Sequence, residues 1–190
     1  MTHLILVLLL ALPLQADSLM DKMISMESAS PTVQRLYLQN KLRHVSDKYM
    51  QWLAGISEEE FMAHLRVSYF GSVLYAYLGQ NMLDPSRVSV RSIYMDLIAR
   101  QFAQMRNTLN EYAKSPVYDA GIFKMVKPYV EAYSKEFEAM MKGTNTVATF
   151  QVKEQEITAA LLQSATNPLT REMLQILVFL EFQVMEYGLS

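Results

Sequence analysis

The chain has 190 residues, which is long enough for one domain with a sizeable core, and its formal net charge at pH 7 is −2. Because 17 basic residues nearly balance 19 acidic ones, the composition excludes a dedicated nucleic-acid-binding protein, which would carry a strongly basic surface. Gly and Pro are scarce, with 6 of each, and cysteine is absent, which favours helices and excludes a disordered chain, a disulfide and thiol chemistry.

The N-terminus has the pattern of a secretory signal peptide. Residues 4–12 form a continuous apolar run, Pro13 follows, and Ala16 supplies a small residue at the expected cleavage point. We therefore expect residues 1–16 to be a signal peptide and residues 17–30 a tether, with the protein working in the periplasm or outside the cell. The alternatives are an uncleaved membrane anchor and a buried N-terminal helix, although the run is shorter than the ~20 residues of an ordinary membrane span.

Residues 31–190 are predicted to form a single all-α domain, an irregular and mostly antiparallel bundle of about six helices. The first helix covers residues 31–54, because apolar residues recur there in steps of three and four, and Gly55 ends it. The apolar seam of this helix consists of Leu38, Leu42, Val45, Tyr49 and Trp52.

Residues 57–83 are predicted to form one central helix, which begins with a capping box of Ser57 and Glu60. Its second half carries no charge, and a helix that is apolar nearly all round belongs in the middle of a bundle. Small residues recur there at every fourth position, at Ser68, Ser72 and Ala76, and would let another helix approach closely. The sequence therefore predicts that this stripe and the apolar residues around it are buried.

The helices that follow are separated by clear breaks. Gly121 and Pro128 interrupt the fourth helix, which predicts a kink or two shorter pieces. The pair at residues 167–168, Asn followed by Pro, is typical of a helix start and opens the last helix. The third, fourth, fifth and sixth predicted helices end near residues 114, 142, 165 and 188.

No group of residues in the sequence indicates a particular reaction. Glu60, His64 and Ser68 share one helical face, but the three members of a catalytic triad rarely converge correctly on a single helix. The Glu-x-x-His pairs of di-iron bundles are also missing. We therefore predict no catalytic residue, no metal site and no cofactor, and an enzyme remains an open alternative.

The leading expectation is a non-enzymatic, exported protein that binds another protein through a helix face, as an interaction or scaffold protein without a nucleic-acid partner. The alternative is a helical bundle that binds a small apolar or aromatic ligand, or a lipid, in a tyrosine-lined pocket. An enclosed apolar cavity would favour the ligand, and a flat exposed apolar patch would favour the protein partner. The candidate binding residues are Arg66, Tyr69, Tyr75, Tyr129, Tyr133 and Glu181.

Two of these candidates carry opposite charges among apolar neighbours. The residues three and four positions away from Arg66 and from Glu181 are all apolar. Each charge could reach solvent along its own stem, but a pair would offset the desolvation of both groups. The sequence thus predicts a buried Arg66–Glu181 ion pair. A buried Glu181 that lines a cavity without a cation would instead favour the ligand hypothesis.

Overall fold

The structure, a computed structural model, describes residues 22–23, 25–81, 84, 87–119 and 121–189. Within these residues it has seven helices from residue 31 onwards and no strand, which confirms the predicted all-α helical bundle class. The predicted signal peptide lies outside the described residues. The helices are α1 (Pro31–Gly55), α2 (Glu58–Val67), α3 (Tyr69–Gln80), α4 (Val90–Lys114), α5 (Ile122–Met141), α6 (Val147–Ser164) and α7 (Pro168–Tyr187).

The chain divides into two compact units. The terminal unit comprises Met1–Val45 and Thr108–Ser190, and the central unit comprises Ser46–Asn107. The boundaries between them fall inside α1 and α4, so each of these long helices contributes residues to both units.

The predicted central helix is in fact two helices, α2 and α3, which meet at Ser68. This residue has an extended backbone (φ −86°, ψ 147°), so it ends α2, and its hydroxyl accepts the N–H of Gly71 as the N-cap of α3. A side chain on Gly71 would overlap with the carbonyl oxygen of Leu65, so the close approach of the two helices requires a glycine there. The capping box of Ser57 and Glu60 at the start of α2 is confirmed.

The prediction that α3 is buried nearly all round is wrong, because only one face of the helix is buried. Ser72 and Ala76 are exposed, and the buried face of the helix contains Gly71, Leu74 and Leu78. The buried face is the one that carries Leu74 and Leu78, two large aliphatic side chains one helical turn apart. The side chains of serine and alanine have little apolar area, so burying them stabilises the fold less than burying a leucine.

In the central unit, Arg91 of α4 binds the segment that connects α1 to α2. Its guanidinium donates hydrogen bonds to the carbonyl oxygens of Leu53 and Ile56 at 3.2 Å and of Ser57 at 3.3 Å. It also lies 4.8 Å from the ring centroid of Phe61. The last carbonyl groups of a helix have no hydrogen-bond partner within that helix. The guanidinium of Arg91 supplies such a partner to carbonyl groups at the end of α1 and in the turn that follows.

In the terminal unit α5, α6 and α7 pack against one another. The helix α5 begins after Gly121 and continues through Pro128 as a single helix, so of the two predicted alternatives the division into two shorter pieces is wrong and the kink stays a prediction. The start of α7 is confirmed, because the Asn167 side chain accepts the N–H groups of Leu169 and Thr170. Gly188 follows α7 in the left-handed conformation (φ 60°), as expected of a glycine that ends a helix.

Candidate functional site

The six predicted binding residues fall into two groups, one in each unit. The central unit contains Arg66 near the end of α2, Tyr69 as the first residue of α3, and Tyr75 in the middle of α3. The side chain of Arg66 is exposed, and Tyr75 is 49% exposed. Neither of these two side chains is therefore enclosed in a pocket.

The predicted buried ion pair between Arg66 and Glu181 is wrong. Such a pair needs two buried partners, but Arg66 is exposed whereas Glu181 is only 5% exposed. The prediction failed because it treated Tyr69 and Phe70 as helical neighbours of Arg66. The helix breaks at Ser68, so both aromatic residues belong to α3, and the end of α2 leaves the guanidinium in solvent.

Tyr129, Tyr133 and Glu181 line one small cavity of the terminal unit, formed by α5, α6 and α7. Its volume is about 10 Å³, measured as the space open to the centre of a water molecule, which is room for about one water-sized group. A lipid or a drug-sized ligand needs a pocket of roughly 300–1,000 Å³. The remaining lining residues are Val130, Ile157, Thr158, Val178 and Met185.

The cavity has a buried floor and a half-buried rim. Val130, Tyr133, Glu181 and Met185 are buried and form the floor. The other lining residues are only half-buried, so the cavity is accessible from their side. The rim residues are Tyr129, Ile157, Thr158 and Val178.

Glu181 is a buried carboxyl group with an unsatisfied oxygen. Its Oε2 has no hydrogen-bond partner, and no ion pair to it is found in the described part of the chain. Burial raises the pKa of Glu181 to about 8, although the positive charge of Lys41 on α1 acts in the opposite direction. The carboxyl group is therefore mostly protonated at pH 7. The hydroxyl of Tyr37, also on α1, is a further buried group near Glu181 without a hydrogen-bond partner.

Two more side chains near the cavity have a buried oxygen without a hydrogen-bond partner. The Oη of Tyr133 has no hydrogen-bond partner, and burial raises the pKa of this hydroxyl, with further contributions from Glu154, Glu186 and Tyr187. Glu186 is half-buried as a residue, but its Oε2 is inaccessible and unpartnered. Burial and the charge of Glu154 raise the pKa of Glu186 to about 8, against a hydrogen bond from Tyr187.

The central unit contains a buried polar network around His64. The Nε2 of His64 lies 2.6 Å from Tyr49 Oη and 2.9 Å from Tyr94 Oη, and Tyr94 Oη lies 3.0 Å from Ser68 Oγ. Burial lowers the pKa of His64 to about 4, so the imidazole is neutral at pH 7. Ser68 also caps α3, and Glu60 closes the capping box of α2 at the surface. Of the three residues that share a helical face in the sequence, Glu60 and Ser68 therefore cap helices and His64 takes part in a buried hydrogen-bond network.

A second candidate surface is the exposed side of α3, the α3 face. The helix contains no charged residue, yet Val73, Tyr75 and Tyr77 are 37%, 49% and 45% exposed. At 3.6 residues per turn, small residues occupy the middle of this side, with Tyr75 on one flank and Tyr77 on the other. The α3 face consists of Ser72, Val73, Tyr75, Ala76, Tyr77, Gly79 and Gln80.

Among the described residues, no group of three or more His, Asp or Glu side chains is placed to hold a metal ion. In the same part of the chain, no helix is long and apolar enough to cross a membrane. Comparison with known proteins finds no match: no family model, no curated protein and no solved structure is similar to this chain.

Proposed function

We propose that this is an exported, non-enzymatic interaction protein that binds a helix of another protein on the α3 face. The observation that carries the proposal is the exposure of Val73, Tyr75 and Tyr77 on a helix without a single charge. The cores of protein interfaces are enriched in tyrosine and depleted of lysine, glutamate and aspartate relative to other surfaces. The α3 face has this composition, which supports a protein partner.

The shape of the α3 face suits a helix as the partner element. Ser72 and Ala76 are one turn apart in the middle of the face, where their small side chains permit close approach of a second backbone. Tyr75 and Tyr77 on the flanks would then contact the sides of the docked helix and supply most of the buried apolar area. A lipid surface is a poorer match, because helices that lie on membranes usually carry basic residues on the polar side, and α3 has none.

Photo-crosslinking in the native host tests the partner. A photoreactive residue at position 76 should yield a covalent adduct with one defined protein, and Tyr77→Glu should weaken this adduct at least tenfold by placing a charge in the interface. The matched control is Val152→Glu on α6, where the valine is 54% exposed, outside the α3 face. Equal crosslinking by both glutamate variants, or an adduct with a second copy of this chain, would contradict binding of a different protein there.

Export is the second part of the proposal and rests on the apolar run at residues 4–12 followed by Pro13. We expect the protein recovered from the periplasm or the medium of its native host to begin at Asp17. Intact-mass measurement distinguishes this form from the full chain. Recovery of soluble protein that retains residues 1–16 would rule out cleavage after Ala16.

A further inference from the structure

We propose that the cavity between α5, α6 and α7 binds a protonated primary amine, with the ammonium group at Glu181 and the alkyl stem between the half-buried rim residues. This inference is independent of the α3 face, which belongs to the other unit.

The size and the shape of the cavity select this ligand. The enclosed space accepts about one water-sized group, and an ammonium group is of that size. The rim residues Ile157 and Val178 are apolar and half-buried, so an alkyl stem that enters between them keeps contact with carbon atoms. A larger head group, such as a quaternary ammonium, does not fit the space at the floor.

An ammonium group has three N–H donors and no acceptor, so its partner in the cavity must be an acceptor. Glu181 lines the cavity, one oxygen of its carboxyl group has no hydrogen-bond partner, and the group becomes a charged acceptor once it is ionised. The rings of Tyr129 and Tyr133 also line the cavity, and aromatic faces attract cations. A divalent metal ion would need more carboxylates than the single one that lines this cavity.

Binding is coupled to the loss of one proton. In the free protein the Glu181 carboxyl group is mostly protonated at pH 7, so an incoming ammonium group displaces that proton to solvent and forms an ion pair with the carboxylate. Lys41 on α1 is the charged group that opposes the bound cation, and Tyr37 on the same helix faces Glu181. Glu154 on α6 and Glu186 with Tyr187 on α7 face Tyr133, and the carboxyl group of Glu186, whose pKa burial raises to about 8, is mostly protonated at pH 7 like that of Glu181.

Titration of the full chain with n-butylammonium chloride, followed by NMR chemical shifts, tests the site. The uncharged 1-butanol and the bulky tetramethylammonium ion should each bind at least tenfold more weakly. The affinity for n-butylammonium should rise about eightfold from pH 7 to pH 8.5, which is the increase in the ionised fraction of an acid with a pKa of about 8. Nα-acetyl-lysine methylamide presents the same group as a peptide side chain. Tighter binding of this probe indicates a lysine of a protein as the natural ligand, and weaker binding indicates a free amine.

Glu181→Gln should lower the affinity about ten- to hundredfold, since the amide keeps the size of the side chain but loses the charged acceptor. The matched controls are Glu131→Gln, an exposed acid on α5, and Tyr77→Glu on the α3 face, and both should leave the affinity unchanged. Binding of 1-butanol as tightly as n-butylammonium, unchanged binding by Glu181→Gln, or no binding of any amine would each overturn the proposal. Tyr77→Glu also separates the two proposals, because it removes partner binding without affecting the amine site.

Discussion

Glu181→Gln is expected to stabilise the protein at neutral and alkaline pH and to change its stability little at pH 4. The pKa of the carboxyl group is about 8 in the folded protein and 4.5 as its ordinary value, because burial disfavours the charged form. The folded state therefore binds more protons than the unfolded state between these two values, and stability falls as the pH rises through this window. At pH 7 the loss amounts to about 3 kcal/mol, which a neutral glutamine avoids.

Urea unfolding followed by circular dichroism at pH 4, 7 and 8.5 measures this difference. The Glu181→Gln variant should gain stability over the original protein as the pH rises, while the exposed Glu131→Gln control should follow the original curve. His64 contributes in the opposite direction, because its pKa is lowered to about 4 and its protonation destabilises the fold below pH 6.5. This contribution is the same in both proteins and cancels in the comparison. Parallel stability curves for Glu181→Gln and the original protein would show that the carboxyl group is not buried.

Gly71→Ala is expected to destabilise the central unit by about 1–3 kcal/mol or more, the range of overpacking substitutions. An added Cβ at this position would overlap with the carbonyl oxygen of Leu65, which is backbone and cannot turn away as a flexible side chain could. The helices α2 and α3 would have to separate, and the hydrogen bond from the Gly71 N–H to Ser68 would be strained. Thermal unfolding by calorimetry measures the loss.

Gly79→Ala is the matched control, in the same helix. Nothing lies within 4 Å of a Cβ added there, so the substitution only raises the helix propensity and should stabilise the protein by up to about 1 kcal/mol. The two substitutions are chemically identical and are expected to have opposite signs. A stabilising or neutral Gly71→Ala would mean that α2 and α3 do not make the close turn at Ser68.

Signals that act over a few residues were predictable from the sequence. The capping box at Ser57, the cap at Asn167 and the end of α7 at Gly188 appear in the structure where the sequence places them. These signals depend on hydrogen bonds between a side chain and backbone groups two or three residues away, so neighbouring residues alone decide them. The all-α class follows from the same local patterns, repeated along the chain.

The candidate sites show the limit of local patterns. Tyr129 and Tyr133 are one helical turn apart, so the sequence alone places them on one side of α5. Their meeting with Glu181 depends on how α5 and α7 pack, which is a contact over about 50 residues of chain. The hydrogen bonds of His64 to Tyr49 and Tyr94 span 15 and 30 residues, and no feature of the sequence marks these three residues as partners.

Only the tertiary structure decided which uncharged residues are buried. The stretch that forms α3 is free of charge, yet Leu74 and Leu78 alone provide a large aliphatic surface on one face, and the opposite side stays exposed. The break at Ser68 likewise moved Arg66 out of the apolar surroundings that a continuous helix would have given it. The sequence by itself determined the all-α class and the caps at Ser57 and Asn167, because these depend on near neighbours. Burial depends on the area that a distant element can cover, which the packed fold alone defines.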